Sequence, residues 1–202
     1  MKTMTMTWRI YMEMIRTVVE QGRQAIVLIP EIALTYQTVM RFYRCFGDRV
    51  SIMNSRLSAG ERYDQMMRAK KGEVDVMIGP RSALFTPFPN LGLIVIDEEH
   101  EPTYKSEQVP RYHAREVAVH RAEMEDASVV LGSATPSMEA MYRARLGEYQ
   151  LYEMKNRSHM QQMATVYTVD MRKELKNGNR SILSEKLQEL IEDRLNAKEQ
   201  IM

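Results

Sequence analysis

Asp97, Glu98, Glu99 and His100 follow directly on a short apolar run, Leu93 to Ile96. Carboxylates this close repel one another, and burying them is costly unless something positive sits between them. A phosphate-bound divalent cation meets that need. An apolar strand running into Asp-Glu is the form of a Walker B element, in which Asp97 would orient Mg²⁺ held through a nucleotide and Glu98 would polarise the water attacking a γ-phosphate. A solvated acidic turn is the competing reading on composition alone. A metal nuclease or glycosidase built on Asp97, Glu98 and Glu99 is disfavoured, because successive residues at a strand end face different ways and no His/Asp ligand set accompanies them. His100, His113, His120 and His159 lack the close spacing of a metal site. A second segment, "LGSATPS", also ends an apolar run, and its Ser133 and Thr135 would turn two hydroxyls toward the same crevice. An ordinary strand-to-helix turn with one of them capping is the alternative there.

Both segments need a scaffold that brings strand ends together. "QAIVLIP", "RVSIM", "VDVMIG", "LIVID" and "SVVLGSA" are short continuous apolar runs, the pattern of buried parallel strands. Between them lie amphipathic stretches. Helices are expected over about 10–21, 34–46, from Ser58 to about Lys71 behind an S-x-x-E capping box with Glu61, and over "RYHAREVAVHRAEME". Alternating strands and helices predict an α/β doubly wound sheet, which binds ligands outside the carboxyl ends of its strands. Beyond Pro136 a helix is expected over "PSMEAMYRARLGEY", strands over "QLYEM" and "ATVYTVD", a charged connection over "MRKELKNGNRS", and a last amphipathic helix over about 183–198.

Composition narrows the classes. The chain has 202 residues, 44% hydrophobic and 27% charged, which suits a soluble globular protein with one good core. No apolar run approaches the roughly 20 residues of a membrane span, and the first residues lack the apolar segment of a secretory signal, so a cytoplasmic protein is expected. Cys45 is the single cysteine, which excludes an internal disulfide and a cysteine-based zinc cluster within this chain. A net charge of +1 excludes a globally basic coat but not a local basic groove. The 18 methionines show no separate stripe and read as core filling.

The order "IPEIALT", "GPRSALF", "LIVIDEEHEPTYK", "PRYHAREVAVHRA", "LGSATPS" resembles the first RecA-like lobe of the primosomal replication-restart (PriA) helicases, superfamily 2 motors that unwind DNA. The resemblance covers about residues 10–202 and implies a RecA-like, P-loop NTPase type of parallel sheet with helices on both faces. It implies that Asp97 and Glu98 serve ATP·Mg²⁺ and that His100 couples the site. Ser133 and Thr135 would then link hydrolysis to strand movement. Pro30, Glu31 and Thr35, with Arg81 and Ser82, would touch the DNA backbone, although Pro80 stands where the family usually has threonine. The segment from Glu101 to Arg115 resembles the family's aromatic-rich, DNA-sensing loop. Its chemistry suits that role, since Tyr104 and Tyr112 offer stacking faces and Lys105, Arg111, His113 and Arg115 can meet phosphates. Branched or single-stranded DNA, single-strand-binding protein and other primosome proteins are the implied partners, and 3′→5′ movement the implied polarity.

The beginning of the chain departs from that family. Where a G-S-G-K-T phosphate loop should stand, Met4, Met6, Thr7 and Trp8 take the places of two glycines, the lysine and the threonine, and no glycine precedes Gly22. A phosphate cradle needs glycines for close backbone approach, a lysine for charge and a hydroxyl for Mg²⁺. No Walker A element is therefore expected, and Lys2 is the only lysine nearby. The expected organisation is a divergent tail over 1–9, a partial ATP-binding lobe over 10–147, incomplete at its N-terminus, and over 148–202 the end of that lobe with a connection toward a second lobe that the chain does not contain. The family's zinc-binding cysteines belong to that further part, so no zinc is expected. The expected function is a helicase portion unable to hydrolyse ATP alone; a non-catalytic DNA- or protein-binding module is the alternative.

Overall fold

The computed structural model describes residues 6–154 and 165–201, and these two stretches belong to two separate compact units. In the first unit, helix α1 (Met6–Glu20) leads into strand β1 (Gln24–Leu28), then α2 (Tyr36–Phe46), β2 (Val50–Ile52), α3 (Ala59–Lys70), β3 (Val76–Gly79), β4 (Leu91–Asp97), α4 (Ala114–Glu125), β5 (Ser128–Gly132) and α5 (Met138–Arg145). The five strands pair in the order β2-β3-β1-β4-β5, all parallel. This is the expected α/β architecture.

The apolar runs of β1, β3 and β4 become strands buried on both faces, because a strand's side chains alternate between faces and both faces are covered in the middle of the sheet, whereas β5, at the edge, is only partly buried rather than buried as expected. Ile26, Leu28, Met77, Ile94 and Ile96 point to one core with Tyr104, Ala114 and Ala118. Ala25, Val27, Val76, Ile78 and Val95 point to the other with Tyr11, Ile15 and Phe42. Polar caps fix where helices begin. Thr35 Oγ1 accepts from the Thr38 amide, and Ser58 and Glu61 form the expected capping box at α3. Ser137 caps α5.

The second unit holds α6 (Met171–Lys176) and α7 (Glu185–Asn196), with Asp170 and Ser184 as caps. The Glu174 carboxylate accepts from Asn179 Nδ2 at 2.7 Å and from the Glu185 amide at 2.9 Å, tying the two helices.

Several boundaries differ from expectation. Helix α1 starts at Met6, not near Ile10, so Thr7 and Trp8 are helical. "QLYEM" is exposed and is not a strand, and residues 165–170 likewise form no strand among the described residues. Apolar alternation specifies a strand only where another strand accepts its hydrogen bonds. "MRKELK", read as a connection, is α6, started by the Asp170 side chain on the Arg172 amide. Lys2, Met4 and His159 lie outside the described residues.

Candidate active site

Parallel strands deliver their carboxyl ends to one edge, and β4 and β5 end in register, Asp97 opposite Gly132. The Tyr11 hydroxyl donates to Asp97 Oδ1 at 3.1 Å, and the Tyr104 hydroxyl donates to the Asp97 carbonyl at 2.7 Å. Burial pushes the Asp97 carboxyl up to about 6, with the Tyr11 bond pulling it back and the Glu98 charge adding to the rise. Burial beside Asp97 also raises both tyrosine hydroxyls far above their ordinary value, so both stay protonated donors. Gly132 makes the Tyr11 contact possible: a Cβ there would sit 1.5 Å from the Tyr11 hydroxyl oxygen.

The next three residues diverge. Glu98 has a left-handed backbone, φ 50°, which costs a residue with a Cβ about 1–2 kcal/mol, and its side chain is 45% exposed. His100 Nδ1 lies 3.6 Å from Glu98 Oε2 and 2.7 Å from Ser133 Oγ, and Ser133 Oγ accepts from the Thr135 amide at 3.0 Å. The turns after β4 and β5 are thereby joined. Asp97, Glu98, His100, Ser133 and Thr135, predicted from separate segments, form one group.

Glu99 takes no part in that group. It is 2% exposed, and Arg115, 5% exposed, donates to its Oε2 at 3.1 Å. The Ser137 amide donates to Glu99 Oε1 at 2.6 Å and the Ser137 hydroxyl to Oε2 at 3.0 Å, while Arg115 also donates to Ser137 Oγ at 2.8 Å. The acidic run is therefore met in three ways: a guanidinium for Glu99, the Tyr11 hydroxyl for Asp97 and the nearby His100 for Glu98. The sequence reading placed Arg115 on DNA, and the structure corrects this, because its guanidinium is consumed inside the protein. The signal that could have found the pair was that a carboxylate behind an apolar strand needs a cation, and Arg115 was available.

Tyr104 is a second correction. At 1% exposure its ring belongs to the core and offers no face to a base. The other loop residues have varied settings. Lys105 and His113 form an antiparallel bridge, and the Ser106 amide donates to the Tyr112 carbonyl at 2.7 Å. His113 Nδ1 accepts from the Arg115 amide at 3.2 Å as the cap of α4, and burial with the neighbouring Arg115 charge holds its pKa below the usual value. The Arg81 guanidinium lies 5.4 Å from the Tyr112 ring centre and donates to the Thr103 carbonyl at 3.0 Å and to the Lys105 carbonyl; Phe85 meets Tyr112 edge-on at 5.3 Å. Arg81 thus pins the loop. Lys105, Arg111 and Ser82 are exposed. Of the residues after β1, Pro30 is buried, Glu31 accepts from the Ser55 amide and hydroxyl, and Thr35 caps α2.

Asp97 and Glu98 lie together at this strand edge, and carboxylates so placed are of the kind that hold a magnesium ion carried by phosphates. Among the described residues no glycine-rich loop stands beside them. Thr7 and Trp8 lie inside α1, and the Trp8 ring packs edge-on against Tyr11 at 5.6 Å and Phe42 at 5.8 Å. Among the described residues no group of three or more His, Cys, Asp or Glu could hold a metal by itself.

A sequence profile of the DEAD/DEAH box helicase family matches residues 2–143. The chain belongs to that family. It is 51% identical over 191 residues to the replication restart protein PriA of Bacillus subtilis, covering 95% of this chain and 24% of that protein. Against PriA of Synechocystis it is 44% identical over 196 residues, covering 95% and 24%. Against PriA of Chlamydia pneumoniae it is 42% identical over 195 residues, covering 96% and 26%. The chain thus spans about a quarter of the length of these relatives. Among solved structures, the C-terminal domain of the DEAD-box protein Dbp5 aligns at a TM-score of 0.41 and 14% identity, covering 67% of this chain and 79% of that one. The resemblance to replication-restart helicases and the parallel α/β sheet are as expected from the sequence. No described helix is long and apolar enough to cross a membrane.

Proposed function

We propose that this chain is the portion of a replication-restart DNA helicase that carries the acidic motor element and the DNA-facing loop, and that alone it does not hydrolyse ATP. The observation that carries the reading is the meeting of Asp97, Glu98 and the His100–Ser133 contact at the ends of β4 and β5. ATP·Mg²⁺, which the family uses, would supply a polarised γ-phosphate at that edge. Asp97 is the residue that would hold the ion. Glu98, half-buried with its carboxylate beside His100, would take the proton from the attacking water. The His100–Ser133 bond gives the β5 turn, and with it Thr135, a direct mechanical link to the acidic turn. Lys105 and Arg111 are the exposed cations of the loop and would meet phosphates, with Arg81 holding the loop in place rather than reaching for the strand.

The expected setting is the cytoplasm, on branched or single-stranded DNA, with 3′→5′ movement and with single-strand-binding protein and other primosome proteins as partners. The inability to hydrolyse ATP rests on Trp8 and its neighbours, which stand in a helix where a lysine and small residues should cradle phosphate. That same observation favours a second reading, a non-catalytic module that binds DNA or protein through the retained loop. Phosphate release from ATP, with and without single-stranded DNA, tests the first proposal. Turnover that is stimulated by DNA and lost in Glu98→Gln would refute the claim of inactivity while supporting the role of Glu98; turnover untouched by Glu98→Gln would refute the role itself.

A further inference from the structure

Glu98 is the one residue of the acidic turn in a left-handed backbone, and it is bracketed by two heavily anchored neighbours. On one side Asp97 ends β4 in register with Gly132 and is tied by two tyrosine hydroxyls. On the other, the Glu99 amide donates to the Gly132 carbonyl at 3.0 Å, and its side chain accepts from both the amide and the hydroxyl of Ser137 and from Arg115. A residue with a Cβ holds positive φ only where its surroundings over-determine the conformation. Here the surroundings are the buried Glu99 cluster. If Glu99 turned outward, an arginine and two Ser137 donors would lose their acceptor, so the carboxylate is fixed inward. With Glu99 inward and Asp97 held at the strand end, the peptide between them must turn sharply, and Glu98 is carried outward toward His100.

We propose that Glu99, clamped by Arg115 and Ser137, is the positioning residue that forces Glu98 into its left-handed conformation and so presents its carboxylate beside His100. The cluster also explains why three such distant segments are joined. Arg115 starts α4, directly after the loop, and Ser137 starts α5, directly after the Ser133–Thr135 turn, so one buried carboxylate fixes the orientation of the acidic turn against both. The chemical meaning of the positioning rests on the reading of Glu98 as a base; the positioning itself does not.

The test is nuclear magnetic resonance on the isotope-labelled full chain. A strong intraresidue contact between the Glu98 amide proton and its α proton marks positive φ. It is expected in the parent and expected to fall severalfold in Glu99→Gln, which retains one acceptor but offers a donor where Ser137 needs the other. Because removing one partner of a buried pair can unfold a protein, the double variant Glu99→Leu/Arg115→Met, which replaces both charges with apolar groups, is measured in parallel. It too should lose the signal. In a companion measurement, Glu98→Gly should relieve strain in the parent and relieve none in the double variant, so that its effect on the urea unfolding midpoint differs between the two by roughly half a molar. A parent without the signal, or a folded variant that keeps it at full strength, overturns the proposal. A signal that is lost as expected, together with ATP turnover that Glu98→Gln leaves untouched, leaves the positioning standing and removes only the catalytic meaning given to Glu98.

Discussion

Replacing Gly132 by alanine puts a methyl carbon 1.5 Å from the Tyr11 hydroxyl oxygen and 2.8 Å from its ring Cζ. Neither atom has anywhere near to go, since Tyr11 is 2% exposed and packed in the core with Trp8 against its edge. The ring must leave Asp97, forfeiting a hydrogen bond to a carboxylate worth about 1.5–3 kcal/mol, and the added methyl brings an overpacking cost of about 1–3 kcal/mol. The expected loss is therefore about 2.5–6 kcal/mol, a large share of the about 5–15 kcal/mol of a folded domain. Trp8 is the only tryptophan and touches Tyr11, so urea unfolding followed by its emission reports on the affected place. Tyr11→Phe alone should cost about 1–3 kcal/mol, by leaving Asp97 Oδ1 without its donor. In the double variant the worst clash is gone with the hydroxyl, so its loss should fall short of the sum of the single losses by at least about 1 kcal/mol. A Gly132→Ala protein within about 0.5 kcal/mol of the parent, or strict additivity, would refute the reasoning.

Arg115→Ala should destabilise the chain by about 3–5 kcal/mol in urea unfolding, because it strands Glu99 as an unpaired buried charge; a loss under about 1 kcal/mol would mean the pair is not buried in solution. Asp97, raised by burial to about 6 from 3.8, binds its proton more tightly in the folded state than unfolded, so its contribution favours folding at acid pH and is lost as pH rises through about 6. His113, held low by burial, has the opposite sign, so the clean comparison is with Asp97→Asn, whose stability relative to the parent should rise by on the order of 2 kcal/mol between about pH 4 and pH 7; a pH-independent difference would be inconsistent with a buried Asp97. Single-strand DNA binding, read by anisotropy across a salt series, should weaken in Lys105→Ala and in Arg111→Ala, each lowering the salt slope by about 1, and unchanged slopes would remove the loop from the interface.

The inner strands were legible in the sequence because they are covered on both faces: "LIVID" and "VDVMIG" cannot be read as anything solvent-facing. The Ser58–Glu61 cap and the grouping of Asp97, His100 and Ser133 were equally legible, the latter because all the strands are parallel and deliver their ends to one edge. What sequence could not give was direction of side chains within a short turn. Glu98 and Glu99 are adjacent and chemically equivalent, yet one side chain is 45% exposed and the other is buried on Arg115. The same limit misassigned Tyr104 and Arg115, whose types suit DNA and whose positions are internal. Residues 150–154 carried strand-like alternation but pair with no strand among the described residues, and periodicity alone does not supply one.

The measurement that bears most directly on the whole account is a calorimetric titration of the folded chain with Mg²⁺ and a non-hydrolysable ATP analogue. The account predicts no heat of binding up to millimolar nucleotide, since an acidic turn without a phosphate cradle holds no triphosphate. Micromolar binding that disappears in Asp97→Ala would contradict it and show that the site works with Trp8 where the cradle should be.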